Sequence, residues 1–271
     1  MKRPKFILIK HRRMEKALNI ALVQSSIFWE DPAKNRGHFS KLMDAIAPDV
    51  DLVILPEMFT TGFTMNPKNI DKEEGDKTVQ WMQQEAKDRN VGLVGSMVYN
   101  EDGRYYNRLW FVGPEEIKGY YDKRHTFTLA GEDKVYRRGE KKMIVDFRGF
   151  RICPLICYDL RFPVWSRNTE DYDVLIYVAN WPHSRINAWD ALLKARAIEN
   201  MAYVLGVNRI GTDQLGHAYS GHSAAYNSLG DTLVFSEKEM VLYASLQKDH
   251  LIQTREKLKF LDDRDHFNLK E

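Results

Sequence analysis

Three side chains in this sequence have the types and the settings that nucleophilic chemistry needs. Cys157 closes the apolar run RICPLIC, Glu57 follows DLVILP, and Lys123 lies in a long loop after an aromatic, strand-like segment. A further apolar run, DVLIYVA, ends at Asn180 and Trp181. In open α/β sheets ligands bind beyond the carboxyl ends of the strands, so residues at these strand ends are expected to share one site. A thiolate is the reactive form of cysteine, with an ordinary pKa of ~8.5. A glutamate near ~4.3 is a poor base for it in water, a gap worth ~5–6 kcal/mol. Burial raises a carboxylate pKa and a neighbouring ammonium lowers a thiol pKa. A dry pocket holding all three is therefore expected to close the gap.

Such a trio suits acyl chemistry on an amide. The thiol attacks the carbonyl, and the Lys123 ammonium and the Tyr158 backbone N–H are expected to receive the developing oxyanion. The protonated Glu57 returns its proton to departing ammonia. A thioester remains, and water activated by the same Glu57 would hydrolyse it. Cys153, four residues earlier on the same run, is read as structural. Residues four apart on an extended strand are ~13 Å apart, too far for a disulfide. Two unpaired cysteines in so long a chain point to a reducing, cytoplasmic setting.

The surrounding pattern supplies elements able to position these groups. Residues 17–24 read as a strand, 33–47 as a helix with Phe39, Leu42, Met43 and Ile46 on one face, and 76–89 as a helix with Val79, Met82 and Ala86 on one face. VGLVGSMVY and YYNRLWFVG read as a hairpin turning at Asp102-Gly103. A helix is expected to begin at Phe162-Pro163, and another in NAWDALLKARAIENM. AYVLGVNRIG is a further strand, with HSAAYNSLGDTLVFS and MVLYASLQ as a terminal pair of strands. Apolar strands alternating with helices predict a layered α/β domain covered on both faces.

The chain has 271 residues and a formal charge of +2, but residues 1–13 hold six basic side chains and no acidic one. Without them the charge is −4, which leaves no broad basic field for nucleic acid. No apolar run approaches the ~20 residues of a membrane span. Residues 1–16 are read as a basic extension, disordered or a start-site artefact with Met14 near the true beginning. Residues 17–252 form one domain, and 253–271 a charged tail that wraps the surface or a partner. None of the eight histidines has metal-ligand spacing, so no metal and no cofactor is expected.

The stretches LVILPEMF, YYDKRHTF, ICPLICYDLRFP, VANWP and KARAIEN resemble the nitrilase superfamily of carbon–nitrogen hydrolases, over most of the chain from about Leu18 to about Leu246. The resemblance implies a four-layer αββα sandwich, a homodimer or higher homo-oligomer, and roles for Glu57 as general base and acid, Lys123 as stabiliser of the tetrahedral intermediate and Cys157 as nucleophile. It adds Glu132, expected to position Lys123 and the substrate amide. CYDLRFPVW, KRHTFTLAGED and NWPHSR are similar to the omega-amidase group, implying a small keto-acid amide, 2-oxoglutaramate or 2-oxosuccinamate, as substrate. The same mechanism on deaminated glutathione or an N-carbamoyl compound is the alternative, as is acyl transfer to an amine. A non-catalytic scaffold of this fold would be expected to have replaced Cys157, Glu57 or Lys123. Arg161 has two readings, a clamp for a substrate carboxylate or an ion pair with Asp159. Phe63, Phe127, Tyr158 and Trp181 are candidate walls of a small pocket, whereas Arg196 and Glu199 are read as structural.

Overall fold

The computed structural model describes residues 17–269. In chain order the first half comprises β1 (Ala17–Gln24), α1 (Pro32–Asp44), β2 (Leu52–Ile54), α2 (Glu74–Arg89), β3 (Gly92–Glu101), β4 (Arg104–Val112), β5 (Ile117–Asp122) and α3 (Glu132–Val135). The second half comprises β6 (Val145–Phe147), β7 (Phe150–Ile156), α4 (Pro163–Ser166), β8 (Val174–Ala179), α5 (Ile186–Asn200) and β9 (Tyr203–Asn208). It ends with β10 (Ile210–Thr212), β11 (Ala218–Ser220), β12 (Ser223–Tyr226), β13 (Thr232–Ser236), β14 (Met240–Gln247) and α6 (Lys248–Leu258).

Two six-stranded sheets form the body, ordered β14-β1-β2-β3-β4-β5 and β13-β12-β9-β8-β7-β6. The central strands of each are parallel and the outer ones antiparallel. Side-chain alternation explains the layering. Leu18, Ile20 and Leu22 of β1 point into the core shared with the second sheet, which includes Ile152, Ile176 and Leu205. Ala21 and Val23 point the other way, against Phe39 and Met43 of α1 and Val79, Met82 and Ala86 of α2. Trp189, Leu193 and Ala197 of α5 cover the far face of the second sheet. Helices, sheet, sheet and helix give the expected αββα order. All six residues of β8 are buried, as a parallel strand covered on both faces requires.

Local signals mostly landed where expected. Asp31 caps α1, its Oδ1 accepting the Lys34 N–H at 3.1 Å, and Pro163 opens α4. Asp102 and Gly103 both have positive φ, 51° and 77°, the geometry of a tight hairpin turn. Three readings change. HSAAYNSLGDTLVFS is itself a hairpin, β12–β13, turning over Asn227–Gly230. MVLYASLQ does not pair with it; β14 crosses to the first sheet and lies antiparallel to β1, with Leu18 opposite Leu246. The loop expected to carry Lys123 is shortened by β5, so Lys123 also stands at a strand end.

The charged tail taken to begin at Gln253 starts inside α6, which packs on this chain's own surface. Leu251 is buried there, and Arg255 donates to the carbonyls of Met201 at 2.7 Å and Tyr172 at 2.6 Å. The basic extension, 1–16, lies outside the described residues. Among those described, no helix is long and apolar enough to cross a membrane.

Candidate active site

Strand ends deliver the predicted groups to one place. After β2 the chain is tied to β3: Leu55 N–H donates to the Val94 carbonyl at 2.7 Å, and Met58 N–H to Ser96 Oγ at 2.9 Å. These anchors hold Glu57 between them. Lys123 is fixed on both sides, its N–H bonded to the Asn107 carbonyl at 3.0 Å and its carbonyl accepting the Gly139 N–H at 2.9 Å. A Cβ on Gly139 would lie 2.1 Å from the Asp122 carbonyl oxygen, so only glycine permits this strap. Cys157 follows β7 with φ of 41°, and Met58 beside Glu57 has φ of 44°. Side chains rarely adopt this left-handed region, and residues held there cluster at functional sites.

Asp159 fastens the turn around Cys157. Its Oδ2 accepts the Ile156 N–H at 3.0 Å and the Tyr121 hydroxyl at 2.8 Å, and its Oδ1 accepts the His125 N–H at 3.0 Å. The His125 ring pairs with the same carboxylate at 2.8 Å. Asp159 is therefore fully engaged, and the alternative of an Arg161–Asp159 ion pair is not what forms.

Lys123 Nζ donates to Glu57 Oε1 at 2.8 Å and to both Glu132 oxygens at 3.1 and 2.9 Å. Glu57 and Glu132 are 0% exposed, Lys123 1% and Cys157 8%. Glu57 also accepts the Asn180 N–H on Oε2 at 2.8 Å. Glu132 folds back from the start of α3 to accept the Phe127 N–H at 2.5 Å. Burial alone would lower the Lys123 pKa, but the charges of Glu132 and Glu57 more than offset this and raise it. Burial raises Glu132, with Lys123 opposing and Glu57 adding to the rise.

Two carboxylates around one ammonium leave an excess negative charge beside the thiol. Burial, then Glu57, push the Cys157 pKa well above its ordinary range, and Lys123 counteracts only in part. The ammonium acts downward on the thiol as expected, but burial and Glu57 outweigh it, so the net shift is upward. The cation is already neutralised by two partners, which the spacing of residues in the sequence could not show.

Sequence reasoning missed Asn107. Its Nδ2 donates to Glu57 Oε1 at 2.8 Å and to Glu132 Oε1 at 3.2 Å, bridging the acids. A buried polar residue within YYNRLWFV was the available signal. A hydrogen bond to a charged group contributes ~1.5–3 kcal/mol. Asn107→Leu should therefore reduce kcat roughly 10- to 100-fold and lower the thermal midpoint as well, since both buried carboxylates lose a donor. A kcat equal to the parent's would remove Asn107 from the site.

Cys157 opens onto a cavity of about 230 Å³. Phe63, Phe127, Tyr158, Arg161 and Trp181, all named from the sequence, line it with Lys123. The Tyr158 ring meets Phe127 edge-on at 4.9 Å, and the Arg161 guanidinium stands 4.8 Å over the Trp181 ring. Arg185, Asp213 and Tyr219 complete much of the wall and were not anticipated. Cys153 is 0% exposed, on the face of the second sheet that α5 covers, and burial pushes its thiol up to about 12. Arg196 is buried, with Nη2 on the Leu160 carbonyl at 2.6 Å and an ion pair to Glu199 at 3.0 Å.

A paired-sheet sandwich with thiol, carboxylates and ammonium gathered at its strand ends is the architecture of an amide-cleaving hydrolase. The chain belongs to the carbon–nitrogen hydrolase family, whose model matches residues 19–256, and is an amidohydrolase of the nitrilase superfamily acting on carbon–nitrogen bonds other than peptide bonds. It is 42% identical over 254 residues to the omega-amidase YafV of Escherichia coli (strain K12), covering 93% of this chain and 98% of that one. It is 30% identical over 250 residues to the 2-oxoglutaramate amidase of Bacillus subtilis (strain 168), covering 90% and 96%. The crystal structure of XC1258 from Xanthomonas campestris, a CN-hydrolase superfamily protein with an arsenic adduct in the active site, superposes with a TM-score of 0.90 at 38% identity, covering 94% of this chain and 99% of that one.

Proposed function

We propose that the protein hydrolyses the terminal amide of a small keto-acid amide, 2-oxoglutaramate or 2-oxosuccinamate, to a dicarboxylate and ammonia through a thioester on Cys157. One observation carries this reading. The Cys157 thiol opens onto a small cavity beside a Lys123–Glu57–Glu132 cluster, and the cavity also presents a guanidinium, Arg161, to a carboxylate.

The raised thiol pKa sets how the reaction must run. Sγ attacks the amide carbon as its proton passes to Glu57, so negative charge moves from sulfur to the carbonyl oxygen without a free thiolate accumulating. That oxygen is met by Lys123 Nζ and by the Tyr158 N–H, which lies in the first turn after Cys157 and has no intrahelical acceptor. Protonated Glu57 then gives its proton to the departing nitrogen, which leaves as ammonia. Water, losing a proton to Glu57, attacks the thioester. The carboxylic acid leaves and sulfur regains its proton. Glu132 and Asn107 hold Lys123 and Glu57 in register throughout. The sequence of steps consumes one amide and one water and needs no cofactor.

A cavity of about 230 Å³ has room for a four- or five-carbon keto-acid amide beside Cys157, which is consistent with the keto-acid substrate. The omega-amidase and 2-oxoglutaramate amidase names of the two relatives support the same choice. In this reading the enzyme works in the cytoplasm as a homodimer or higher homo-oligomer. The test is ammonia release from 2-oxoglutaramate, 2-oxosuccinamate, glutamine and asparagine. Turnover of the keto-amides, with little from the amino acids, is the expected outcome. Inertness toward both keto-amides would end this substrate assignment.

A further inference from the structure

Two guanidiniums face the cavity without an acidic partner. Arg161 stands over Trp181, and Arg185 lies 5.2 Å from the Phe127 ring. Neither forms an ion pair among the described residues, whereas Arg108 and Arg196 do. Trp181 couples the two. Its ring carries Arg161, and its Nε1–H donates to the Arg185 carbonyl at 2.9 Å. The Arg185 N–H in turn bonds the Pro182 carbonyl at 3.0 Å, so the turn that bears Arg185 is fixed relative to Trp181.

The other charged groups on the wall are already hydrogen-bonded. Lys123 is held by Glu57 and Glu132. Asp213 Oδ1 accepts the Leu215 and His217 N–H groups, each at 2.9 Å, and its Oδ2 accepts the Tyr219 hydroxyl at 2.8 Å. What the cavity offers a ligand away from Cys157 is therefore two guanidiniums with no acidic partner, against one carboxylate, Asp213, already hydrogen-bonded to three neutral donors. A guanidinium has five donors in a planar fork matched to a carboxylate.

We propose that Arg185 is a specificity-determining residue that, together with Arg161, clamps the substrate carboxylate and selects a 2-keto acid amide over the corresponding amino acid amide. The proposal rests on the keto-amide reading above. The two substrates differ only at the carbon next to the carboxylate. A keto oxygen there accepts hydrogen bonds from the guanidiniums. An ammonium there meets two like charges, and the single carboxylate on the wall, Asp213, is already engaged by three donors. Repulsion and an unsatisfied buried donor both act against the amino acid.

The experiment measures equilibrium binding to Cys157→Ala protein, with and without Arg185→Met, using 2-oxoglutarate and glutamate as probes. Met keeps an apolar stem against Phe127 and deletes the charge. Binding of 2-oxoglutarate should weaken roughly 10- to 100-fold in Arg185→Met, with Arg185→Lys intermediate. The preference for 2-oxoglutarate over glutamate should narrow in the same variant. In a Cys157-intact background, iodoacetamide, a neutral reagent that enters the same pocket, reports whether the variant's site is still formed. Loss of carboxylate binding with normal alkylation supports the clamp. Absent 2-oxoglutarate binding in the parent, equal binding in parent and variant, or loss accompanied by failed alkylation overturns it. A parent inert to 2-oxoglutaramate whose 2-oxoglutarate binding still depends on Arg185 would remove the substrate reading and leave the clamp standing.

Discussion

Cys157→Ala should lower kcat on a keto-acid amide by about 10⁵- to 10⁶-fold, because residues that act as one catalytic unit lose nearly everything when the nucleophile goes. No other thiol can substitute. Cys153 is wholly buried, with its thiol pushed up to about 12, and does not border the cavity. The fold should persist, since alanine in the left-handed turn meets the same backbone strain as cysteine. Ammonia release by purified variant and parent is the measurement, and more than a trace of turnover in the variant would place the chemistry elsewhere.

Lys123→Met should be costly twice over. Loss of an oxyanion donor costs ~10²- to 10³-fold in kcat, and removing one partner of a buried ion pair costs ~3–5 kcal/mol of stability. The reason is specific to the cluster. Without the ammonium, Glu57 and Glu132 are left side by side, sharing the Asn107 amide, and one must take up a proton. Adding Glu132→Gln should return much of the stability and none of the activity. If the double variant melts no higher than Lys123→Met, the carboxylate repulsion is not the cause. The sign with pH follows from the shifts. The folded Lys123 pKa is raised, so its contribution is fully present below the unfolded value of ~10.4 and is lost as pH rises through the folded one. The stability gap between parent and Lys123→Met should hold from neutral pH up to that value and close only in stronger alkali. Glu132, raised mainly by burial, works in the opposite sense, weakening the fold above the unfolded glutamate value of ~4.3.

Much of this site was legible because strand ends announce themselves locally. Runs such as DLVILP and RICPLI carry their own periodicity, and the chemistry-bearing residue follows each one. The pocket aromatics and Arg161 lie within a few residues of those same ends. What was hidden depends on partners far away in sequence. β14 pairs with β1 across most of the chain, and nothing in MVLYASLQ encodes which sheet it will join. Asn107 sits in a strand whose hairpin pattern looks ordinary; only the two carboxylates converging on its Nδ2 reveal its role. The direction of the Cys157 shift reversed the expectation for the same reason. Lys123 still pulls the thiol pKa down, but burial and then Glu57, neither of them legible in RICPLIC, outweigh it. Arg185 escaped notice because its significance lies in having no partner, which only a three-dimensional inventory of acids can establish.

The central claim is a covalent thioester on Cys157, and rapid-quench mass spectrometry during turnover of 2-oxoglutaramate tests it most directly. The account predicts a transient adduct on the peptide containing Cys157, with the mass of the substrate less ammonia, appearing with the first turnover and disappearing as substrate is exhausted. Sustained ammonia release with no such adduct at any quench time, or an adduct carried by Cys153, would contradict it.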